Sequence, residues 1–329
     1  MLNLSNNKIL VLLPLLLVLT TFAFAQKDKA NGTPSPQSIT VVVAPTGSHP
    51  ETLATSCSMS ISDFSALNPS IKPKSSIEEG AAVRVNKNAW SEARSKNLGL
   101  ELCRGVQGRK EIAITLDCGY PTKDNLNRML DLLDKHQIKA TFFLTGMFLK
   151  KLPDAPARIV ARGHELGNHT MTHPHSPKLT VEKFRQELDG VETLSAASAT
   201  SVTTYQKQAT AFPCSTKPFW RPPFGERSKE NVRTAAELGF RSVYWTIDTL
   251  DWMTDKDAKD GKGATPDSIF QRLCERPFTK AAPGSDPLDG AIVLMHLAGQ
   301  ATPEALERII PHLKEKGYTF VTLNKMLEP

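Results

Sequence analysis

The sequence predicts an α/β protein in two parts: a long body of repeated β-α units, forming a parallel sheet or (β/α) barrel, preceded by a small β-α-α-β unit. Three observations carry this. From residue 110 onward, short apolar strand signals alternate with amphipathic helix signals. Residues 39–86 form a separate pattern with β-rich segments at both ends. The 329 residues, 40% hydrophobic and 22% charged, suit one or two globular domains with sizeable cores.

Residues 1–25 stand apart from that body. Lys8 precedes an apolar run from Ile9 to Val18, and Ala23-Phe24-Ala25 follows. A positive start, a short apolar core and an A-x-A site describe a secretory signal peptide cleaved before Gln26. The run is short for a membrane span, and the cleavage point has no Cys that would carry a lipid anchor. Its removal leaves 39 basic residues against 34 acidic. That mild excess suits an anionic cell envelope or a plain solvated surface. Nothing resembles a dense Lys/Arg tract interleaved with aromatics, so nucleic acid is not an expected partner. The protein is expected to be secreted, periplasmic or cell-wall associated, and monomeric. In an oxidising compartment its five cysteines leave at least one unpaired. Cys214 with Cys274 is the first pairing to consider, because both lie in segments that look like insertions.

Residues 26–38, with Gly32, Pro34 and Pro36, read as a flexible leader. Ile39 to Val43 reads as a strand, the Thr/Ser-rich stretch after it has room for two short helices, and Ala82 to Val85 is a closing strand. Residues 87–109 are polar and read as a linker. In the body, Ile112, Ile114 and Leu116 alternate as in a strand. Leu126, Met129, Leu130 and Leu133 have helical spacing. Ala140–Leu144 and Ala291–Met295 are compact apolar strands, and another is expected over Ser242–Ile247. Helices are expected over Val181–Leu194, Lys229–Leu238 and Glu304–Lys316, the last kinked at Pro311. A strand over Thr319–Leu323 closes the pattern.

In parallel α/β folds, chemistry gathers at the C-terminal ends of the strands. Five unusual clusters fall there, each ordinary when taken alone. Thr115-Leu116-Asp117-Cys118-Gly119 ends a strand with an acid. Gly167-Asn168-His169-Thr170-Met171-Thr172-His173-Pro174 holds two histidines four apart; on one face of a helical turn they would chelate one metal ion. Arg221-Pro222-Pro223-Phe224-Gly225 fixes a guanidinium on a stiff loop. Asp248-Thr249-Leu250-Asp251-Trp252 offers two acids and an indole, and Leu294-Met295-His296 ends a buried strand with an imidazole.

In this order the clusters resemble the five motifs of the polysaccharide deacetylase family, carbohydrate esterase family four: T-F-D-D, H-[ST]-x-x-H-P, R-x-P-[YF], D-x-x-D-W and L-x-H. The resemblance covers residues 110–326, with the last four motifs intact and the first altered at Leu116 and Cys118. It implies a distorted (β/α) barrel over 110–329 that hydrolyses N-acetyl groups of a cell-wall polysaccharide. It also implies one divalent metal ion, expected to be zinc, on His169 and His173. Asp117 would be the general base and Arg221 would orient it. His296 would be the general acid, with Asp251 raising its pKa. The Phe224 N–H would help stabilise the oxyanion, and Trp252 and Leu294 would wall the acetyl pocket.

Cys118 stands where most members carry a third metal ligand. It is either a thiolate ligand or a bystander, and the fixed backbone and long metal–sulfur bond favour the bystander. Asp117-Cys118-Gly119-Tyr120 is similar to the Asp-x-Gly-Tyr of a family branch acting on muramic acid, which tilts the substrate toward peptidoglycan. Residues 39–86, through Asp63-Phe64-Ser65-Ala66-Leu67-Asn68-Pro69-Ser70-Ile71 and Glu79-Gly80, resemble the LysM module. That resemblance implies binding to N-acetylglucosamine-containing glycan. The competing readings are a chitin-oligomer deacetylase, a glycan-binding pseudoenzyme that releases no acetate, and a glycosidase, against which the histidine pair argues.

Overall fold

The structure is a computed structural model that describes residues 39–45, 47–86, 100–119, 123–198, 214–258, 261–277 and 285–328. The expected signal peptide and leader lie outside the described residues. Among the described residues, no helix is long and apolar enough to cross a membrane.

The small unit has the expected order: β1 (Ile39–Val43), α1 (Pro50–Ser56), α2 (Ile61–Leu67) and β2 (Ala82–Asn86). β1 and β2 pair antiparallel, from Ile39 opposite Asn86 to Val43 opposite Ala82. Ser60 caps α2 by accepting from the Asp63 N–H. After α2, Asn68 Nδ2 donates to the carbonyls of Phe64 and Arg84, and its Oδ1 accepts from the Arg84 N–H. One buried amide thus ties helix to strand over a core of Leu53, Phe64, Ile77, Val83 and Val85.

The body holds a sheet in which every pairing is parallel. Its strands are β3 (Glu101–Leu102), β4 (Glu111–Cys118), β5 (Thr141–Leu144), β6 (Glu165–Asn168), β7 (Phe219–Trp220), β8 (Arg241–Val243), β9 (Ile247–Asp248), β10 (Ala291–His296) and β11 (Thr319–Phe320). Their order is β3-β8-β7-β6-β5-β4-β10-β9, with β11 pairing to β4. The helices are α3 (Lys123–Lys135), α4 (Gly146–Lys151), α5 (Ala155–Ala161), α6 (Val181–Ser198), α7 (Lys229–Glu237), α8 (Pro266–Phe270), α9 (Thr302–Glu315) and α10 (Leu323–Met326). This is the curled half-barrel form of the α/β class expected from the sequence.

Four expectations are corrected. The linker is shorter than 87–109, because β3 within it pairs with β8 at the sheet edge. The strand expected over Ser242–Ile247 is two short strands, β8 and β9, separated by Tyr244–Thr246. The last strand stops at Phe320: Thr322 accepts from the Lys325 N–H and starts α10 instead. The π-helical turn at Gln271–Glu275 carries Cys274, whose thiol is free and, chiefly through burial, pushed up to about 11. The Cys214–Cys274 pairing is therefore not formed.

Strand alternation sorts the central side chains into two layers. Ile112, Ile114, Leu116 and Cys118 of β4 pack with Ala291, Val293 and Met295 of β10 against Leu126, Met129, Leu130 and Leu133 of α3 and Leu306, Ile309, Ile310 and Leu313 of α9. The intervening residues face the barrel interior. Ala113 and Ile292 join an apolar layer with Leu102, Phe143, Phe219, Leu323 and Met326. Farther along the same face come Thr115 and Asp117, whose register partners on β10 are Leu294 and His296. The polar residues thus gather at the strand C-termini.

The small unit adjoins the end where the strands begin. Val43 and Ala82 belong to the interior apolar layer, and the Ala82 N–H donates to the Arg104 carbonyl at 2.9 Å. Arg104 is fully buried; its Nε lies 2.7 Å from Glu78 Oε2, and its Nη1 donates to the carbonyls of Pro287 and Asp289.

Candidate active site

Asp117 projects inward from the end of β4 and is 6% exposed. Arg221, brought in by β7 and fully buried, donates through Nη1 to Asp117 Oδ1 at 2.9 Å and to Thr115 Oγ1 at 2.8 Å. Its other donors reach the carbonyls of Val243 and Tyr244, and its guanidinium lies 4.2 Å from the centre of the Phe143 ring. A guanidinium satisfied on all sides has little freedom to leave its partner. Burial pushes the Asp117 pKa up, but His169, Arg221 and His296 outweigh it and hold the carboxyl below its ordinary value. Asp117 is therefore an ionised base.

His169 follows β6 and is almost fully buried. Its Nδ1 is 2.9 Å from the Arg221 carbonyl, which only accepts, so Nδ1 carries the proton and Nε2 keeps its lone pair. Nε2 lies 3.4 Å from Asp117 Oδ2. The His173 ring stands edge-on to it, with centroids 4.9 Å apart. The expected helical turn is absent: residues 169–175 form an irregular loop with positive φ at Thr170 (66°) and His173 (56°). Asn168 Oδ1 holds the Thr170 N–H, and Glu187 accepts from both the N–H and the hydroxyl of Thr172. Burial lowers the pKa of both imidazoles, that of His173 to about 4. Two neutral imidazoles, one with its tautomer fixed from behind, suit a divalent cation. Among the described residues, no group of three or more His, Cys, Asp or Glu side chains forms a ready-made metal cage.

Cys118 is not in this interior group. It shares the outer layer with Ile114 and Leu116, is fully buried, and its Sγ lies 3.4 Å from the Leu116 carbonyl. Burial, and then the Asp117 charge, push its thiol well above the ordinary range. A protonated thiol facing the helices is not placed to join His169 and His173.

His296 ends β10 beside Asp117. Its Nδ1 donates to Asp251 Oδ1 at 2.8 Å, leaving Nε2 free. Asp251 Oδ2 accepts from the His296 N–H at 2.8 Å and the Thr302 hydroxyl at 2.6 Å. Burial opposes a charge on His296, but the hydrogen bond and charge of Asp251, then Asp117 and Asp248, outweigh it and raise its pKa. Asp248 also accepts the N–H of Leu250, whose φ is 54°. Leu294 is buried on the inner face, whereas Trp252 is 47% exposed. Phe224 lies in a tight turn with φ 58°. The next residue, Gly225 (φ 69°), passes so close to Trp245 that a Cβ there would sit 2.8 Å from its ring.

The structure thus joins Asp117, Arg221, His169 and His296–Asp251 into one polar centre, with His173 and Phe224 beside it; Trp252 follows Asp251 in the chain. Thr302, the Phe143 face under Arg221, and Thr145, whose hydroxyl holds the Cys118 and Gly119 carbonyls, carry no sequence signal. Asp248 and Thr115 lie inside the quoted motifs, but only the fold shows their contacts.

Known proteins resemble this chain in sequence and fold. The family model described as polysaccharide deacetylase matches residues 104–243. A peptidoglycan-N-acetylglucosamine deacetylase of Bacillus cereus is 34% identical over 224 residues, 68% of this chain and 70% of the relative. A peptidoglycan-N-acetylmuramic acid deacetylase of Bacillus subtilis is 30% identical over 223 residues, 68% of this chain and 73% of the relative. The crystal structure of a peptidoglycan N-acetylglucosamine deacetylase covers 72% of this chain and 97% of its own, with a TM-score of 0.56 and 29% identity. With the motif residues gathered at the strand ends and relatives of this similarity over two thirds of its length, the chain belongs to the polysaccharide deacetylase family.

Proposed function

We propose that this protein is an exported deacetylase of peptidoglycan, hydrolysing the N-acetyl groups of its amino sugars. The observation that carries the mechanism is the opposite setting of two neighbouring groups. Asp117 is held ionised and His296 is held protonated on paired positions of adjacent strands. Amide hydrolysis needs both, because water must lose a proton as it attacks and the amine must gain one as it leaves.

His169 and His173 would hold the cation, which we take to be zinc; when bound, it supplies Lewis acidity to the amide carbonyl and lowers the pKa of water. Asp117 Oδ2 accepts the proton of the attacking water, while Arg221 keeps the other oxygen in place. The Phe224 N–H faces the carbonyl oxygen as it gains charge. The free Nε2–H of His296 protonates the departing nitrogen as the C–N bond breaks, releasing acetate and the amino sugar. Leu294 and Trp252 contact the acetyl methyl. Cys118 takes no part. The small unit, LysM-like in element order, adds contacts to the glycan.

Incubation with peptidoglycan and with chitin oligomers, followed by mass spectrometry, tests this reading. Loss of acetyl mass from peptidoglycan is expected, and the modified residue identifies the sugar. Asp117→Asn and His296→Ala should each cost about 100-fold or more in rate. Binding without acetate release would instead make the chain a pseudoenzyme.

A further inference from the structure

Phe224 is 59% exposed, the most exposed of the large apolar side chains described, and its φ is 58°. Neither burial nor ordinary backbone preference holds it there. Two imidazoles flank its ring: His173 stands at 4.5 Å and 77°, and His175 is stacked at 4.6 Å and 18°. His173 in turn meets His169, so four rings form an unbroken row from Asp117 to solvent. The row ends in a hydrogen-bonded contact, with His175 Nδ1 2.8 Å from Glu226 Oε2. His175 lies two residues after His173, and Glu226 lies two after Phe224. The pair therefore ties the tips of the two loops that follow β6 and β7. On its far side, the Phe224 loop is held by Arg227, which donates to the Gly225 carbonyl and forks onto Glu101.

We propose that His175 and Glu226 form a clamp that positions the Phe224 N–H and the His173 ring for catalysis. The proposal rests on the deacetylase reading of the same centre. Neither residue touches the reacting atoms, so both are positioning residues. A half-exposed contact between two polar side chains adds little to global stability. The stacked ring restricts a strained turn whose Phe224 side chain is otherwise largely exposed. The pair should therefore affect the chemistry more than the folding.

The test compares the full chain with His175→Ala, Glu226→Gln and His175→Phe, the last keeping the stacked ring without the hydrogen bond to Glu226. Three quantities are read: kcat and KM on an acetylated peptidoglycan oligomer, Zn2+ affinity of the metal-free protein by calorimetry, and Tm. His175→Ala should lower kcat about tenfold with little change in KM, the scale of one lost ring contact. It should also weaken Zn2+ binding severalfold while leaving Tm within about 2 °C. Glu226→Gln should show a weaker form of both losses, and His175→Phe should recover most of each. Wild-type kcat and Zn2+ affinity in His175→Ala would overturn the proposal. So would a lowered Tm with unchanged Zn2+ affinity, which would make the pair purely structural. If the parent chain releases no acetate, the deacetylase reading fails, and the Zn2+ measurement alone decides the clamp.

Discussion

At the scale of single residues, the centre works by setting like groups apart. His296 and His169 are both imidazoles inside one barrel, yet the first is held charged by Asp251 and the second neutral by burial against a carbonyl. The working state of His296 therefore depends on Asp251. A general acid with a raised pKa stays protonated to higher pH, and activity is lost as pH rises through that value. Asp251→Asn keeps an acceptor for Nδ1–H but removes the charge, so the alkaline limb of the kcat profile should move down by roughly a unit. An unmoved limb would show that Asp251 only aligns the ring. Cys118 gives the opposite kind of prediction. Its sulfur packs with Leu116 in the outer layer, so Cys118→Ala should keep Zn2+ affinity and acetate release within about threefold and cost about 1 kcal/mol for the lost atom. Metal loss as complete as in His169→Ala would make Cys118 a ligand after all.

At the scale of elements, β6 links the core to the loop that carries His169 and His173, and a buried histidine marks its start. His164 accepts the Ala140 N–H at Nδ1, and its Nε2 has no partner among the described residues. Burial first, with Lys139 and Arg162 adding to it against Asp134, lowers its pKa to about 4. Because the folded value lies below the unfolded one, the unfolded chain binds the extra proton between those two values. The stability this group confers is complete above pH 6.5 and is lost as pH falls toward 4. The shift corresponds to about 3 kcal/mol at a site this buried. Denaturant titrations from pH 7 to 4 should show His164→Gln, which keeps an acceptor but cannot titrate, losing less stability on acidification than the parent. Parallel curves for the two proteins would remove His164 from the account of acid sensitivity.

At the scale of the whole molecule, the small unit is joined to the body by more than a tether. Its Glu78 neutralises the buried Arg104, its strand continues into the Arg104 carbonyl, and Val43 and Ala82 enter the interior apolar layer. All this occurs at the end of the sheet opposite the polar centre around Asp117. Glu78→Ala should destabilise the protein by about 3 kcal/mol, because it strands a buried guanidinium. Activity per folded molecule should stay near the parent value. Deleting residues 39–86 should therefore damage the barrel as well as any glycan contact, and denaturant midpoints of the two variants check this. A truncated chain as stable as the parent would restore the view of that unit as an independent module.

The sequence alone determined the alternation of elements, and with it the fold class, because burial between sheet and helices writes a period of two or near four into the chain. It also placed Asp117, His169, His173, Arg221, Asp251 and His296 at or just after strand ends, because each follows an apolar strand signal, and the resemblance to the deacetylase motifs singled them out. It could not show that His169 and His173 meet through an irregular loop with positive φ, since spacing alone looks the same for a helical turn. Nor could it reveal Thr302 on Asp251 or Glu78 on Arg104, contacts made between residues 51 and 26 apart in the chain. The side to which Cys118 points was open in the sequence and settled by strand register, which turns Asp117 inward and its neighbour outward. Long-range contacts and side-chain direction come from the closing of the sheet, and that is a property of the folded chain rather than of any local stretch of it.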